Sequence, residues 1–291
     1  MCRKTLKQLI AIARFSALEH LGTPAVLLLT LTATIGTMLL PLFQFQRFSE
    51  DGRLARDCGL ATTFLFGIFL ICGCMASLHR TLKNGTAAIA LTKPLSRGVW
   101  FCGHLGGTIL TLFWFLLTMG AATLTAEACS PRYHTSGSYA DLHSLLYTLL
   151  FPIAALVFGA LNHRLRGCRF TLTAALSLPL LLWITPLFPK QLHWGSLSLL
   201  ITIALFLIQV LALAGMFALV SPPGLMVCLT FFFTGATLIL AHGAAYLPLD
   251  ALAYGGTVSA RIILLLLPQS IAGFLLFTWM GIQLLSRREA V

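Results

Sequence analysis

The sequence predicts an all-α integral membrane protein, a polytopic helical bundle, and three observations carry that assignment. Of 291 residues, 58% are hydrophobic and only 9% are charged, and the mean hydropathy is +0.92. A soluble domain holds about 45–50% apolar residues. The apolar residues also fall in long runs, and a membrane-crossing helix needs about 20 of them. Short segments between the runs hold nearly all the charge. On this template eight spans are predicted, at 24–46, 59–79, 103–126, 143–161, 171–188, 196–220, 225–247 and 262–285. They form one transmembrane domain over 24–285, preceded by a separate helix at 1–20 and followed by a short tail at 286–291.

The N-terminal stretch reads as an amphipathic helix lying in the membrane interface. Leu6, Leu9, Ile10, Ala13 and Ala17 share one face, and Lys4, Lys7 and Arg14 the other, which turns a basic side toward anionic lipid. The run that follows, "PAVLLLTLTATIGTMLLPLF", is too long for a signal-peptide core and lacks a small-residue cleavage site, so it is read as the first span. The charged "RFSEDGRLARD" segment then separates it from the second.

Lys and Arg are retained on the cytoplasmic side of membrane proteins, and here they come in clusters that alternate with the spans. Arg3, Lys4, Lys7 and Arg14 precede the first span. Arg80, Lys83, Lys93 and Arg97 lie between the second and third, Arg164, Arg166 and Arg169 between the fourth and fifth, and Arg287 and Arg288 after the last. Eight spans place all of these in the cytoplasm, with both termini. Most acids, Glu50, Asp51, Asp57, Glu127, Asp141 and Asp250, fall on the other side. The net charge of +11 is therefore topogenic and implies no nucleic-acid partner; the lipid membrane is the expected one.

Catalytic and metal chemistry lack residues. No GxSxG, HExxH or GxxxxGK[ST] motif occurs, so there is no hydrolase elbow, zinc-protease helix or P-loop. All eight carboxylates fall near or beyond span ends, whereas proton-driven transport or intramembrane proteolysis would place some of them inside. Gln209 and His242 are the clearest polar side chains deep in spans, and His134, His143 and His193 lack ligand spacing. Cys72 and Cys74 are two residues apart and point to opposite sides of a helix. Cys58 and Cys129 alone fall on the oxidising side, where a disulfide is chemically allowed. Trp114, Phe113 and Phe115 read as packing residues. No catalytic, metal or cofactor site is expected in this chain.

Residues 80 to 107, "RTLKNGTAAIALTKPLSRGVWFCGHLGG", are the most informative segment. Residues 86–92 allow about two helical turns, which Pro94 ends by forcing an extended residue before it. The segment resembles the loop after the second span of ABC-2 type permeases, the membrane subunits of ATP-binding cassette exporters. Gly85 and Thr86 match a Gly-Thr pair; Leu91, Pro94, Ser96 and Arg97 approximate a Leu-Ser-x-Pro-x-x-Arg turn; Gly103, Gly106 and Gly107 match the glycines that open the third span. Two positions depart from the pattern: Arg80 and Lys83 stand where that family often has an acid, and His104 where it often has Lys. "LIQVLALAGMFALVSPPGLMVCLTFFFTGATLIL" is similar to the family's late span pair.

The resemblance implies a six-span core to which 143–161 and 171–188 add a hairpin, unless Pro179 and Pro186 turn the fifth segment into a re-entrant piece. It implies a plasma (inner) membrane location, a second permease subunit and a separate ABC ATPase subunit that binds the ATP. It implies an ATPase-coupling loop carrying Gly85, Thr86, Lys93, Pro94, Ser96 and Arg97. Separately, the segment "PLDALAYGGTVSARI" before the last span is read as a short outer-face helix. A bland topogenic loop, and with it a non-transporting membrane scaffold for cytoplasmic partners, stands beside this reading. A secondary transporter fits less well because intramembrane carboxylates are missing.

Overall fold

The structure, a computed structural model, describes residues 2–43, 51–84, 96–130, 142–187, 196–243 and 260–287. Those residues form α-helices and no strand: α1 (Cys2–Leu21), α2 (Pro24–Leu39), α3 (Asp51–Lys83), α4 (Arg97–Cys129), α5 (Leu142–Arg166), α6 (Phe170–Leu182), α7 (Ser196–Val220), α8 (Pro223–Gly243) and α9 (Ala260–Arg287). Short 3-10 turns at Leu40–Phe43 and Thr185–Leu187 extend α2 and α6. Seven of the described helical segments are long and apolar enough to cross a membrane, while α8 contributes a shorter apolar stretch, Pro223–Thr237. The chain is an all-α polytopic membrane protein.

α4 is the axis of the bundle. One face packs into a large apolar core with Ile71, Met75 and Leu78 of α3 and Leu207, Leu211 and Ala214 of α7. Another face joins a second core with Leu27, Leu31 and Met38 of α2, Ala155 of α5 and Leu178 and Leu182 of α6. The α5–α6 pair is attached to this second core. Its turn is tight because Gly167 adopts φ 67° and donates its N–H to the His163 carbonyl at 3.0 Å, a left-handed helix stop that glycine makes without steric cost. Pro179 lies inside α6, and Thr185 beyond it hydrogen-bonds Thr125 of α4 at 2.7 Å. The segment therefore runs on alongside α4 toward the end of that helix instead of turning back.

Polar side chains inside the bundle tie helices together. Gln209 of α7 donates to Ser270 of α9 at 3.1 Å, and the Trp114 indole donates to the Ala175 carbonyl of α6 at 3.0 Å. Threonines hide their hydroxyls on their own helix, as Thr34, Thr63, Thr111 and Thr118 each donate to the carbonyl four residues earlier. The His242 side chain lies outside the described residues.

The basic segments gather at one end. His79 near the end of α3 bonds the Ala218 carbonyl near the end of α7 at 2.9 Å. Gly98, opening α4, faces Ile282 in the last turns of α9. The α5–α6 turn meets the end of α1, where Thr171 donates to the Gly22 carbonyl at 2.6 Å and Arg169 stands beside Gly22. Arg80, Lys83, Arg97, Arg164, Arg166, Arg169 and Arg287 thus belong to the α1 end, and Arg53, Arg56, Asp57 and Glu127 to the other.

Two expectations change. α3 and α4 are each 33 residues long, about 50 Å at 1.5 Å per residue, well beyond the predicted 59–79 and 103–126. Part of the charged "RFSEDGRLARD" segment is helical, and the Asp57 carboxylate lies 3.9 Å from Arg53 one turn earlier and 3.2 Å from the adjacent Arg56. The second change concerns Cys58 and Cys129, both thiols in this structure. Gly52 faces Glu127 and Gly59 faces Thr123, so Cys58 stands level with about residue 123, six residues or roughly 9 Å along the axis from Cys129. A disulfide needs Cα atoms within about 7 Å, and this register keeps the two apart.

Candidate functional site at the start of α4

Ser96 caps α4. Its backbone is extended (φ −72°, ψ 141°) and its Oγ accepts the Val99 N–H at 3.4 Å, so the chain leaves the α3–α4 connection and becomes helical at Arg97. Of the residues expected to form a coupling loop, Ser96 and Arg97 are described, and Gly85, Thr86, Lys93 and Pro94 lie outside the described residues. So do Leu91, the short helix expected at 86–92 and the "PLDALAYGGTVSARI" helix before α9.

The glycines that open the third span form the seat of α1. A Cβ at Gly103 would stand 2.6 Å from Ile12 Cγ2; at Gly107, 2.5 Å from Ser16 Cβ and 2.9 Å from the Ala13 carbonyl oxygen; at Gly106, 3.3 Å from Ala13 Cβ. Small residues on both sides let the backbones approach, the usual way helices pack where water cannot drive them together. α1 is therefore more than an interfacial helix. Ala13, Ser16, Ala17, His20 and Leu21 are buried, whereas Leu6, Ile10, Phe15 and Leu18 are exposed with Lys7 and Arg14. The expected apolar face splits, its Ala13 and Ala17 going to protein and its Leu6 and Ile10 outward.

Within this contact lies a polar cluster. Ser16 Oγ is 3.0 Å from His20 Nε2 and 3.2 Å from His104 Nδ1. Thr108 Oγ1 donates to the His104 carbonyl at 3.1 Å and lies 3.5 Å from His20 Nε2. The His104 ring sits edge-on to Trp100, centroids 4.6 Å apart. Ser16 and Thr108 are fully buried and His20 is 2% exposed. If His104 donates from Nδ1, Ser16 can donate its own O–H to His20 Nε2, so one hydroxyl serves both rings while both are neutral. Burial, with His104 beside it, pushes the His20 imidazole down from 6.5 to about 4, so it is uncharged at neutral pH.

This arrangement has the atoms of a nucleophile and a base but not their setting. Ser16 is sealed from solvent. On the helices around it the carboxylates are Glu19, which is exposed, and Glu127, at the far end of α4, so no acid orients either imidazole. Among the described residues, no group of three or more His, Cys, Asp or Glu could hold a metal. The cluster fastens α1 to α4.

On its other sides the start of α4 touches α7 and α9. Phe101 is fully buried, and a Cβ at Gly281 of α9 would lie 2.8 Å from its ring; at Gly215 of α7 the distance is 3.5 Å. The first three turns of α4 thus meet α1, α7 and α9. Sequence reading noted the glycines and His104 but not Ser16, His20, Thr108 or Phe101. The available signal was the i,i+4 pairing of Ser16 with His20 and of His104 with Thr108, beside a glycine stripe. No family model, curated protein or solved structure matches the chain.

Proposed function

We propose that this chain is the permease subunit of an ABC-2 type exporter, multi-pass in the plasma (inner) membrane, working with a second permease subunit and a separate ATPase subunit that binds and hydrolyses ATP. The carrying observation is the convergence on the first turns of α4. The connection holding the Gly85-Thr86 and Lys93-Pro94 pairs delivers the chain into a capped helix, and that helix is seated at once on α1, α7 and α9. A push on the connection by a soluble ATPase would move α4 and, through it, both halves of the bundle, the rigid-body tilt by which domain closure is transmitted. The clustering of Arg80, Lys83, Arg97, Arg164, Arg166, Arg169 and Arg287 at this end supports placing it in the cytoplasm with both termini, and α8 then makes the eighth span.

The topology has a direct test. In a background with the native cysteines replaced, Arg166→Cys is expected to resist a membrane-impermeant thiol reagent added outside intact cells and to react once the membrane is opened. Labelling from outside would overturn the orientation and the inserted hairpin together.

The coupling reading is tested at Arg97. Arg97→Glu sets a carboxylate where the partner is expected to present one, and a like-charge contact shielded from water costs several kcal/mol, more than tenfold in affinity. Membrane insertion should be normal, because Arg80, Lys83 and Lys93 still hold the connection inside. At equal expression the variant is expected to retain less than a tenth of the co-purifying ATPase and to lose transport-linked ATP hydrolysis. Unchanged recovery and unchanged transport would reduce the loop to a topogenic segment.

A further inference from the structure

We infer that the Ser16–His20–His104–Thr108 cluster is a proton-operated latch that holds α1 against α4 at neutral pH and releases it on acidification. The inference rests on the α1–α4 contact and holds whether or not the chain is a transporter subunit. Two imidazoles share one serine hydroxyl at 3.0 and 3.2 Å, inside a contact so close that glycines are required beneath Ile12 and Ser16. Neutral rings, one donating and one accepting, satisfy that hydroxyl. A proton on either ring places a charge among buried groups, and a charge buried without a counterion is expensive.

Among the described residues, the elements packed against the cluster bring no carboxylate to it. From α4 comes Arg97 at the same end, and from the start of α6 comes Arg169, whose guanidinium reaches Gly22 just beyond His20. α2 carries no charged residue. On α1 itself the acid is Glu19, which is exposed, as is Arg14. The electrostatic neighbour of His20 is His104 itself, so a second proton is opposed more strongly than the first. Movement relieves the strain cheaply, because α1 presents Lys7 and Arg14 with Leu6, Ile10 and Phe15 on its exposed sides, the composition of a helix that rests on a membrane surface.

The sign follows from linkage. His20 has a lower pKa docked, about 4, than its ordinary 6.5, so docking is fully favoured above pH 6.5 and weakens as the pH falls from there toward 4. A full shift between those values corresponds to a roughly 300-fold change in the docked-to-released ratio.

Spin labels on Leu6→Cys of α1 and Leu110→Cys of α4, both exposed, report the contact in the full-length protein, with the native cysteines replaced, reconstituted in lipid nanodiscs. The expected result is one narrow distance at pH 7.5 that broadens and lengthens reversibly between pH 6 and 4.5. His20→Gln and His104→Gln keep hydrogen-bonding capacity without a titrating ring, and in each the narrow distance should persist to lower pH. An unchanged distance down to pH 4.5 with both histidines present overturns the latch, whatever the variants do. A response retained in the His20→Gln/His104→Gln double variant assigns the titration elsewhere and overturns it as well.

Discussion

Gly107→Leu is expected to strip α1 from the bundle. The new Cβ would fall 2.5 Å from Ser16 Cβ and 2.9 Å from the Ala13 carbonyl oxygen, neither of which can swing aside as a long side-chain tip could. Overpacking of this kind costs about 1–3 kcal/mol, and separating the helices also breaks the Ser16–His104 bond. The variant should unfold at a lower temperature in detergent, and trypsin should cut at Arg14 markedly faster. Gly36 and Gly73 provide the contrast, since a Cβ at either meets nothing within 4 Å and Gly→Ala within a helix gains up to about 1 kcal/mol. If Gly107→Leu matched Gly73→Ala in both assays, the seat would have no energetic importance.

Phe101→Ala is expected to cost about 3–5 kcal/mol, the range for emptying the space of a buried phenylalanine. Its ring is fully buried, and the start of α4 meets α9 at Gly281 through that ring. The same geometry predicts a compensation. Gly281→Ala by itself should destabilise, because its Cβ would lie 2.8 Å from the ring; in a Phe101→Ala background it should recover part of the loss by filling the space. Strictly additive losses in the double variant, measured by thermal unfolding of the single and double variants together, would place the Phe101 contribution elsewhere. If α4 is the lever of an exporter, Phe101→Ala should also weaken transport beyond what lower abundance explains.

The class and the approximate places of the apolar helices were legible from composition because a bilayer imposes a length and an apolarity on any helix that crosses it. The apolar runs at 171–188 and 196–220 coincide with α6 with its 3-10 extension and with α7. The charge clusters, read through the positive-inside rule, also anticipated which connections share an end. That information is local, carried by runs of like residues, and needs no partner helix to interpret.

What local patterning could not supply is what each helix meets. The apolar pattern of α1 put Ala13 and Ala17 on one face with Leu6 and Ile10, yet the alanines are buried with Ser16 and His20 while Leu6 and Ile10 are exposed, because the glycines of α4 admit a backbone there. Only the α3–α4 register separates Cys58 from Cys129 by roughly 9 Å, since an antiparallel offset is decided by how two surfaces interlock. The latch depends on four polar residues from two segments more than eighty positions apart. Ser16 and His20 read alone are an ordinary helical pair, and it is the tertiary contact that buries them beside His104 and makes their protonation matter.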